Sequence, residues 1–179
     1  MSGYRFDQLK VLIVDDNAHM RKLVSAIVRA FGVVEAYETD NAKTAWTLFR
    51  QHTPDVIVLD WVLGGMSGID LTKMIRTSAD SPRPFVPIIM LTGHTGIEHV
   101  RVARDAGINE FLAKPVSANA LLTRLLSAVV HPRRFVRTST YFGPCRRRRE
   151  DSTYRGPERR MGQSGEITGP VSGSAEDVA

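Results

Sequence analysis

The stretch VLIVDD, residues 11–16, places four apolar residues in a row without alternation, and two carboxylates come directly after them. A strand with one face in water alternates apolar and polar residues. A short run that is apolar throughout is instead typical of a parallel strand buried on both faces. Two more runs of this kind lie at 56–59 and 88–91. We expect these three runs to be the central strands of one parallel sheet.

Amphipathic stretches separate the three runs. The first has apolar residues at helical spacing and is followed by Gly32, which favours a helix that ends there; these residues are Met20, Leu23, Val24, Ile27, Val28 and Phe31. Helices are also predicted at about 41–51, 68–77 and 97–106, and a last one opens at Pro115 and Ser117. Weaker strands are predicted at about 33–37 and 110–113. The alternation predicts an α/β domain over 8–130, with a five-stranded, parallel, doubly wound sheet.

The charge is divided unevenly along the 179 residues. Residues 1–130 contain 14 Lys+Arg against 13 Asp+Glu, and residues 131–179 contain 10 against 6. All ten cations of the second part are arginine, and this part contains no leucine. Its Gly, Pro, Ser and Thr content predicts too little apolar burial to offset the entropy of ordering. We therefore expect a mostly disordered extension that begins near His131-Pro132.

Composition also bears on location. No apolar stretch reaches the length needed to cross a bilayer, and no export signal is recognisable, so membrane insertion is not expected. The single cysteine, Cys145, excludes an internal disulfide and agrees with a reducing compartment. We expect a cytoplasmic protein.

Polar residues stand where the predicted strands end. Asp15 and Asp16 follow the first run, Asp60 and Thr92 follow the next two, and Lys114 follows the fifth strand. Because the carboxyl ends of parallel strands share one edge, these side chains should converge there. Three carboxylates in one place need a cation, and oxygen ligands suit Mg²⁺. Asp60 could then accept a phosphoryl group, with Lys114 and Thr92 holding the incoming oxygens.

Taken singly, each of these residues has an ordinary explanation as a helix cap or a turn residue. Their order and spacing together resemble the receiver domain of two-component response regulators, of the CheY type. The motifs that carry the resemblance are Asp15-Asp16, Asp60 with Gly68 eight residues later, Thr92-Gly93 and Lys114-Pro115. The resemblance covers roughly residues 8–130 and implies a CheY-like (flavodoxin-like) fold.

The resemblance implies a role for each site residue. Asp60 would accept phosphate from a histidine kinase, and the Val62 carbonyl would help Asp15, Asp16 and Asp60 to bind Mg²⁺. Thr92 and Lys114 would contact the phosphoryl group, and Thr92 would form a switch with Phe111. A preference for a cis peptide bond at Lys114-Pro115 is also implied.

The chain departs from the family at Leu63-Gly64, where Met-Pro is usual, which affects the phosphorylation kinetics. No DNA-binding output domain is expected, because 49 residues of the extension's composition cannot form one. Output would come from the extension or from the receiver surface around helix four, strand five and helix five. That surface includes His99, Val100, Arg101, Phe111 and Arg124. An enzyme of the haloacid-dehalogenase type is disfavoured, because Val62 stands where its second Asp is usual.

The extension contains an internal repeat: YFGPCRR at 141–147 returns thirteen residues later as YRGPERR at 154–160. Plain electrostatic binding would accept lysine, whereas arginine alone provides a planar fork and a stacking face. Guanine nucleotides suit such groups best, and a ligand with two equivalent halves, such as cyclic di-GMP (c-di-GMP), suits the duplication. The candidate ligand residues are Tyr141, Arg146, Arg147, Arg148, Arg149, Asp151, Tyr154, Arg155, Glu158, Arg159 and Arg160.

An arginine-rich extension on a stand-alone receiver resembles the Cle group of CheY-like c-di-GMP effectors. That resemblance implies that c-di-GMP binds the extension and that the protein acts at the flagellar motor switch, affecting motility and attachment. The alternative is a chemotaxis regulator driven by phosphorylation alone, with a passive or RNA-binding extension.

Overall fold

The structure is a computed structural model that describes residues 5–93, 96–138, 141–145 and 167–168. After a short 3-10 turn at Phe6–Gln8, five parallel strands form one sheet in the order β2-β1-β3-β4-β5. Their bounds are Lys10–Val14 (β1), Glu35–Thr39 (β2), Val56–Asp60 (β3), Ile88–Thr92 (β4) and Glu110–Ala113 (β5). The predicted five-stranded, doubly wound sheet is confirmed, although β2 begins two residues later than predicted.

Five helices connect and follow the strands: Ala18–Ala30 (α1), Ala42–His52 (α2), Gly68–Thr77 (α3), Ile97–Ala106 (α4) and Ala118–Val129 (α5). Four of them are directly preceded by a residue whose side chain accepts a hydrogen bond from the backbone N–H three residues later in the chain. These capping residues are Asn17, Asn41, Ser67 and Ser117. These caps fix the residues at which α1, α2, α3 and α5 begin.

The sheet is buried between two helical layers. On one face α2, α3 and α4 contribute Phe49, Ile75 and Ala103 to a core with Leu12, Leu59 and Met90 of the sheet. On the other face α1 and α5 contribute Val24, Val28, Leu121 and Leu125. Strands β3 and β4 are buried at every position, which explains why their sequences show no alternation. Within the described part of the chain, no helix has both the length and the apolar character that a bilayer crossing requires.

The chain beyond α5 forms a second, small antiparallel sheet. Phe135–Arg137 (β6) pairs with Phe142–Pro144 (β7) and with Ile167–Thr168 (β8). We refer to the described residues of β6 and β7, with Arg133 and Cys145 at their ends, as the hairpin. Arg133 donates to the carbonyls of Asn109 and Cys145, and so ties both ends of the hairpin to the start of β5.

The hairpin is anchored by aromatic rings. Phe135 is 1% exposed, and its ring lies edge-on to Phe85 at 5.3 Å and 5.9 Å from Phe142. The Arg76 guanidinium stacks over the Phe135 ring at 5.0 Å. These residues differ from the expectation that the chain beyond His131-Pro132 buries little apolar surface. The average composition of 131–179 is poor in apolar residues, and it does not detect two phenylalanines placed to meet a third.

Close packing also explains the Gly-Pro element of the first repeat. A Cβ atom on Gly143 would lie 2.7 Å from the Gly107 Cα and 2.7 Å from the Tyr141 hydroxyl oxygen, so no side chain fits. The Tyr141 hydroxyl donates to the Pro144 carbonyl at 2.7 Å. The Tyr-x-Gly-Pro sequence of this copy therefore packs β7 closely against the end of α4.

We expect Phe135→Ala in the full chain to lower the free energy of unfolding by about 3–5 kcal/mol, because the lost ring leaves a cavity between Phe85, Phe142 and Arg76. Urea unfolding followed by far-UV circular dichroism measures this. Val34→Ala, at a side chain that is 65% exposed, is the control and should change it by less than about 0.5 kcal/mol. A cost below about 1 kcal/mol for Phe135→Ala would mean that the hairpin is not docked in solution.

Candidate functional site

The carboxyl ends of four strands bring the predicted polar residues together. Asp15 follows β1, Asp60 and Thr92 are the last residues of β3 and β4, and Lys114 follows β5. Adjacent strands end level with one another, since Asp60 pairs with Leu91 and Thr92 pairs with Ala113. The Lys114 N–H donates to the Thr92 carbonyl at 2.9 Å, which extends the β4–β5 ladder by one residue. The topology therefore gathers side chains that are up to 99 positions apart in the sequence.

Lys114 lies between two of the carboxylates. Its Nζ is 2.9 Å from an Asp60 oxygen and 3.1 Å from an Asp15 oxygen. Both acids are buried, with Asp15 fully covered and Asp60 6% exposed. The peptide bond that follows, Lys114-Pro115, is cis, as the resemblance implied.

Asp15, Asp16 and Asp60 form a cluster that can hold a metal ion. Each offers a carboxylate oxygen, and these oxygens lie within 4.8 Å of one another. Asp16 is exposed and opens the cluster to solvent. A set of hard oxygen donors with one open side fits Mg²⁺, which keeps several of its waters when it binds protein. Val62, whose carbonyl the resemblance adds to this set, lies two residues beyond Asp60 in the loop before α3.

The electrostatics of the cluster favour an added cation. Burial raises the pKa of Asp60, and the neighbouring Asp15 charge raises it further, while the Lys114 hydrogen bond opposes the rise. Burial lowers the pKa of Lys114, but its hydrogen bonds to Asp60 and Asp15 outweigh this and leave that pKa raised. One lysine therefore does not fully compensate the two buried carboxylates beside it.

The switch residues predicted by resemblance lie on neighbouring strands. Thr92 is buried at the end of β4, and Phe111 is half-buried on β5, where its backbone pairs with Met90. The Phe111 ring packs against the core on the α4 side of the sheet. The Thr92 hydroxyl and the Phe111 ring thus belong to the adjacent strands β4 and β5.

Gly68 proves to be a steric requirement of the site. A Cβ atom there would lie 2.1 Å from the Asp60 carbonyl oxygen, and the Gly68 N–H donates to the Trp61 carbonyl at 2.9 Å. The loop after Asp60 can return to start α3 only if this residue lacks a side chain. The spacing of Asp60 and Gly68 in the sequence therefore reflects the closure of this loop.

Sequence reasoning missed two contributors to the site. The Trp61 N–H donates to an Asp60 carboxylate oxygen at 2.8 Å, and the Trp61 ring lies edge-on to His99 of α4 at 5.4 Å. Arg21 of α1 donates to the Asp15 carbonyl at 2.7 Å. The position of Trp61 next to Asp60 was a usable signal. The contact with His99, a residue first considered only as part of the output surface, required the packing of α4.

Of the candidate ligand residues in the extension, the structure describes Tyr141. Its hydroxyl donates to the carbonyl of Pro144, the last residue of β7, and the residue is half-buried. The remaining candidates lie outside the described residues; they are Arg146, Arg147, Arg148, Arg149, Asp151, Tyr154, Arg155, Glu158, Arg159 and Arg160.

Comparison with known proteins agrees with this geometry. Residues 11–126 match the family model described as the response regulator receiver domain. The chemotaxis protein CheY-3 of Vibrio cholerae is 37% identical over 117 residues, which cover 65% of this chain and 88% of that protein. The chemotaxis protein CheY of Pseudomonas aeruginosa is 32% identical over 117 residues, covering 65% and 93%.

Solved structures show the same relationship. The structure of the Vibrio cholerae chemotaxis protein CheY4 superimposes with a TM-score of 0.61 at 30% identity, over 65% of this chain and 95% of that one. A response regulator structure from Chloroflexus aurantiacus gives a TM-score of 0.62 at 28% identity, over 66% and 95%. Matching strand-end residues, sheet order and family model lead to one conclusion: the chain belongs to the response regulator receiver family and is of the CheY type.

Proposed function

We propose that Asp60 accepts a phosphoryl group from the phosphohistidine of a histidine kinase. The observation that carries this proposal is the position of the Lys114 Nζ, 2.9 Å from Asp60 and 3.1 Å from Asp15, at the open edge of the sheet. A cation held there by two carboxylates is placed to meet the oxygens of an incoming phosphoryl group.

In the proposed step, an Asp60 carboxylate oxygen attacks phosphorus while the nitrogen–phosphorus bond of the phosphohistidine breaks. The bonding electron pair remains on the imidazole nitrogen, which takes up a proton, and the product on this chain is an acyl phosphate. Lys114 orients the phosphoryl oxygens, and the Trp61 N–H holds the Asp60 side chain in position. Mg²⁺, held by Asp15, Asp16 and Asp60, would supply positive charge that offsets the charge of the phosphoryl group.

We also propose that the arginine-rich extension binds c-di-GMP. The repeat at 141–160 supports it, because its cations are all arginine and because two copies of one motif suit a ligand with two equivalent guanine halves. The docked hairpin adds a structural reason, since it holds the start of the first copy against the receiver. The residues proposed to contact the ligand are the arginines that follow each Gly-Pro.

We further propose that the protein is a cytoplasmic signalling protein without enzymatic output, and that its liganded form acts by protein contact at the flagellar motor switch. Support comes from relatives named chemotaxis proteins and from the α4–β5–α5 surface, where Ile97 is 78% and Val100 39% exposed. Ile97 and Val100 are three residues apart on α4, so their exposed apolar side chains lie on one face of the helix, where a partner protein could cover them.

Phosphorylation of Asp60 is tested by incubating the full chain with acetyl phosphate and Mg²⁺ and measuring intact mass. We expect wild type to gain one phosphoryl group and Asp60→Asn to gain none, because the nucleophilic oxygen is lost. Asp80→Asn, at an exposed carboxylate outside the site, should label like wild type. Labelling of Asp60→Asn to the wild-type level would place the acceptor elsewhere.

The raised pKa of Asp60 predicts a pH effect on stability. A raised pKa means that the folded state binds the proton more tightly than the unfolded chain, so stability falls as the pH rises from about 4 through the folded value. Without Mg²⁺, we expect Asp60→Asn to be more stable than wild type at neutral pH, and the difference to shrink towards about pH 4. Urea midpoints across this range measure it, and Mg²⁺ should stabilise wild type more than the variant. A difference that does not change with pH would show that the Asp60 charge is fully compensated.

Ligand binding is tested by isothermal titration of the full chain with c-di-GMP. We expect saturable heat, and a loss of affinity of roughly 5- to 150-fold for Arg147→Ala or Arg160→Ala, because each removes a bidentate contact. Arg50→Ala, an exposed arginine on α2, is the matched control and should leave affinity unchanged. No heat from c-di-GMP, together with tight binding of RNA, would instead indicate an RNA-binding extension.

A further inference from the structure

The hairpin and the receiver together line a cleft. The cleft has a volume of about 470 Å³ and lies between the last turns of α3 and α4 on one side and the hairpin on the other. Lys73 and Thr77 come from α3, Asp105 from α4, and Arg137 and Tyr141 from the hairpin. It is at the end of the helices away from Asp60, so it is separate from the phosphorylation site.

The lining of this cleft is positively charged. Lys73, Arg76 and Arg137 contribute three cations, and none of them makes an ion pair with another residue that the structure describes. Asp105 is the acidic residue of the lining, and its carboxylate already pairs with Arg104 at 3.1 Å. Lys73 and Arg137 are exposed and can move towards a ligand, and Arg137 is oriented by stacking on Phe142 at 5.0 Å.

The buried cation Arg76 gives a physical reason to expect an anion in the cleft. It is 2% exposed, and its hydrogen bonds go to neutral acceptors: the carbonyls of Pro84 and Gly107 and the side-chain oxygen of Asn109. Burial lowers the pKa of this guanidinium to about 9. A buried charge without a counter-ion is costly, and the field of Arg76 reaches the cleft through a medium of low dielectric. An anion held by Lys73 and Arg137 would offset that cost.

We propose that the cleft between α3, α4 and the hairpin binds a phosphate group, with Lys73 and Arg137 as its direct ligands. An ammonium and a guanidinium that line the same cleft are a pair of cations that can both donate to phosphate oxygens. The hairpin ends at Cys145, and the run Arg146–Arg149 follows directly in the sequence. The phosphate could therefore belong to a c-di-GMP molecule bound by the extension or to a free anion. The cleft would bind a phosphate group from either source.

The test is a two-dimensional NMR titration of the ¹⁵N-labelled full chain in a phosphate-free buffer. Inorganic phosphate and c-di-GMP are added in separate experiments, and the amide signals of Lys73, Thr77, Arg137 and Gly107 are followed. We expect saturable shifts of these signals with at least one of the two probes. For that probe, Lys73→Glu should weaken binding by about tenfold or more, and Lys73→Arg should restore it.

Lys22→Glu, at an exposed lysine on α1, is the matched control and should bind like wild type. Shifts with phosphate but no binding of c-di-GMP support the cleft and remove the c-di-GMP part of the proposed function. Binding of c-di-GMP that leaves the cleft signals and the affinity of Lys73→Glu unchanged, with no response to phosphate, overturns the cleft and leaves the proposed function standing. If neither probe causes a response, the cleft proposal and the proposed binding of c-di-GMP are both overturned.

Discussion

The contact of Lys114 with the buried carboxylates of Asp15 and Asp60 is the interaction on which the site depends. Forming it requires β1, β3 and β5 to end at the same edge, and the sheet order β2-β1-β3-β4-β5 provides this. The raised pKa of Asp60 shows that the lysine compensates the acids only in part. The site would therefore be stabilised by further positive charge, which suits the metal ion that we propose it holds.

The molecule presents two charged regions at opposite ends of the same helices. α3 begins at Gly68, against the Asp60 carbonyl, and ends beside the cleft at Thr77. α4 begins after the loop that follows Thr92 and ends at Ala106, and its C-terminal cap, Gly107, lies against Gly143 of the hairpin. The acidic region is suited to a cation, and we propose that the basic region binds anions. Two packed helices connect them, so both regions rest on the same elements of the core.

Most of the fold was predictable from the sequence because local chemistry and global topology agree. Uniformly apolar runs identified β1, β3 and β4, and Asn or Ser caps stand directly before four of the helices. The gathering of Asp15, Asp60, Thr92 and Lys114 at one edge was also predictable, since each ends a strand or directly follows one. The hairpin was not, because Phe135 and Phe142 are isolated within a polar segment and their partners Phe85 and Arg76 are distant in the sequence. Averaged composition cannot report a cluster that only the folded chain assembles.

The doubly wound sheet, the polar residues at its strand ends and a repeat whose cations are all arginine could be predicted from the sequence alone. These features follow from residue type and from spacing along the chain, which a linear reading retains. The folded structure was needed to see which carboxylates Lys114 joins and why Gly68 and Gly143 must lack side chains. It was also needed to see that the docked hairpin and the receiver line a cleft with cationic side chains, Arg76 among them. The physical reason is that burial and charge compensation depend on distances between residues far apart in the sequence, and packing alone sets those distances.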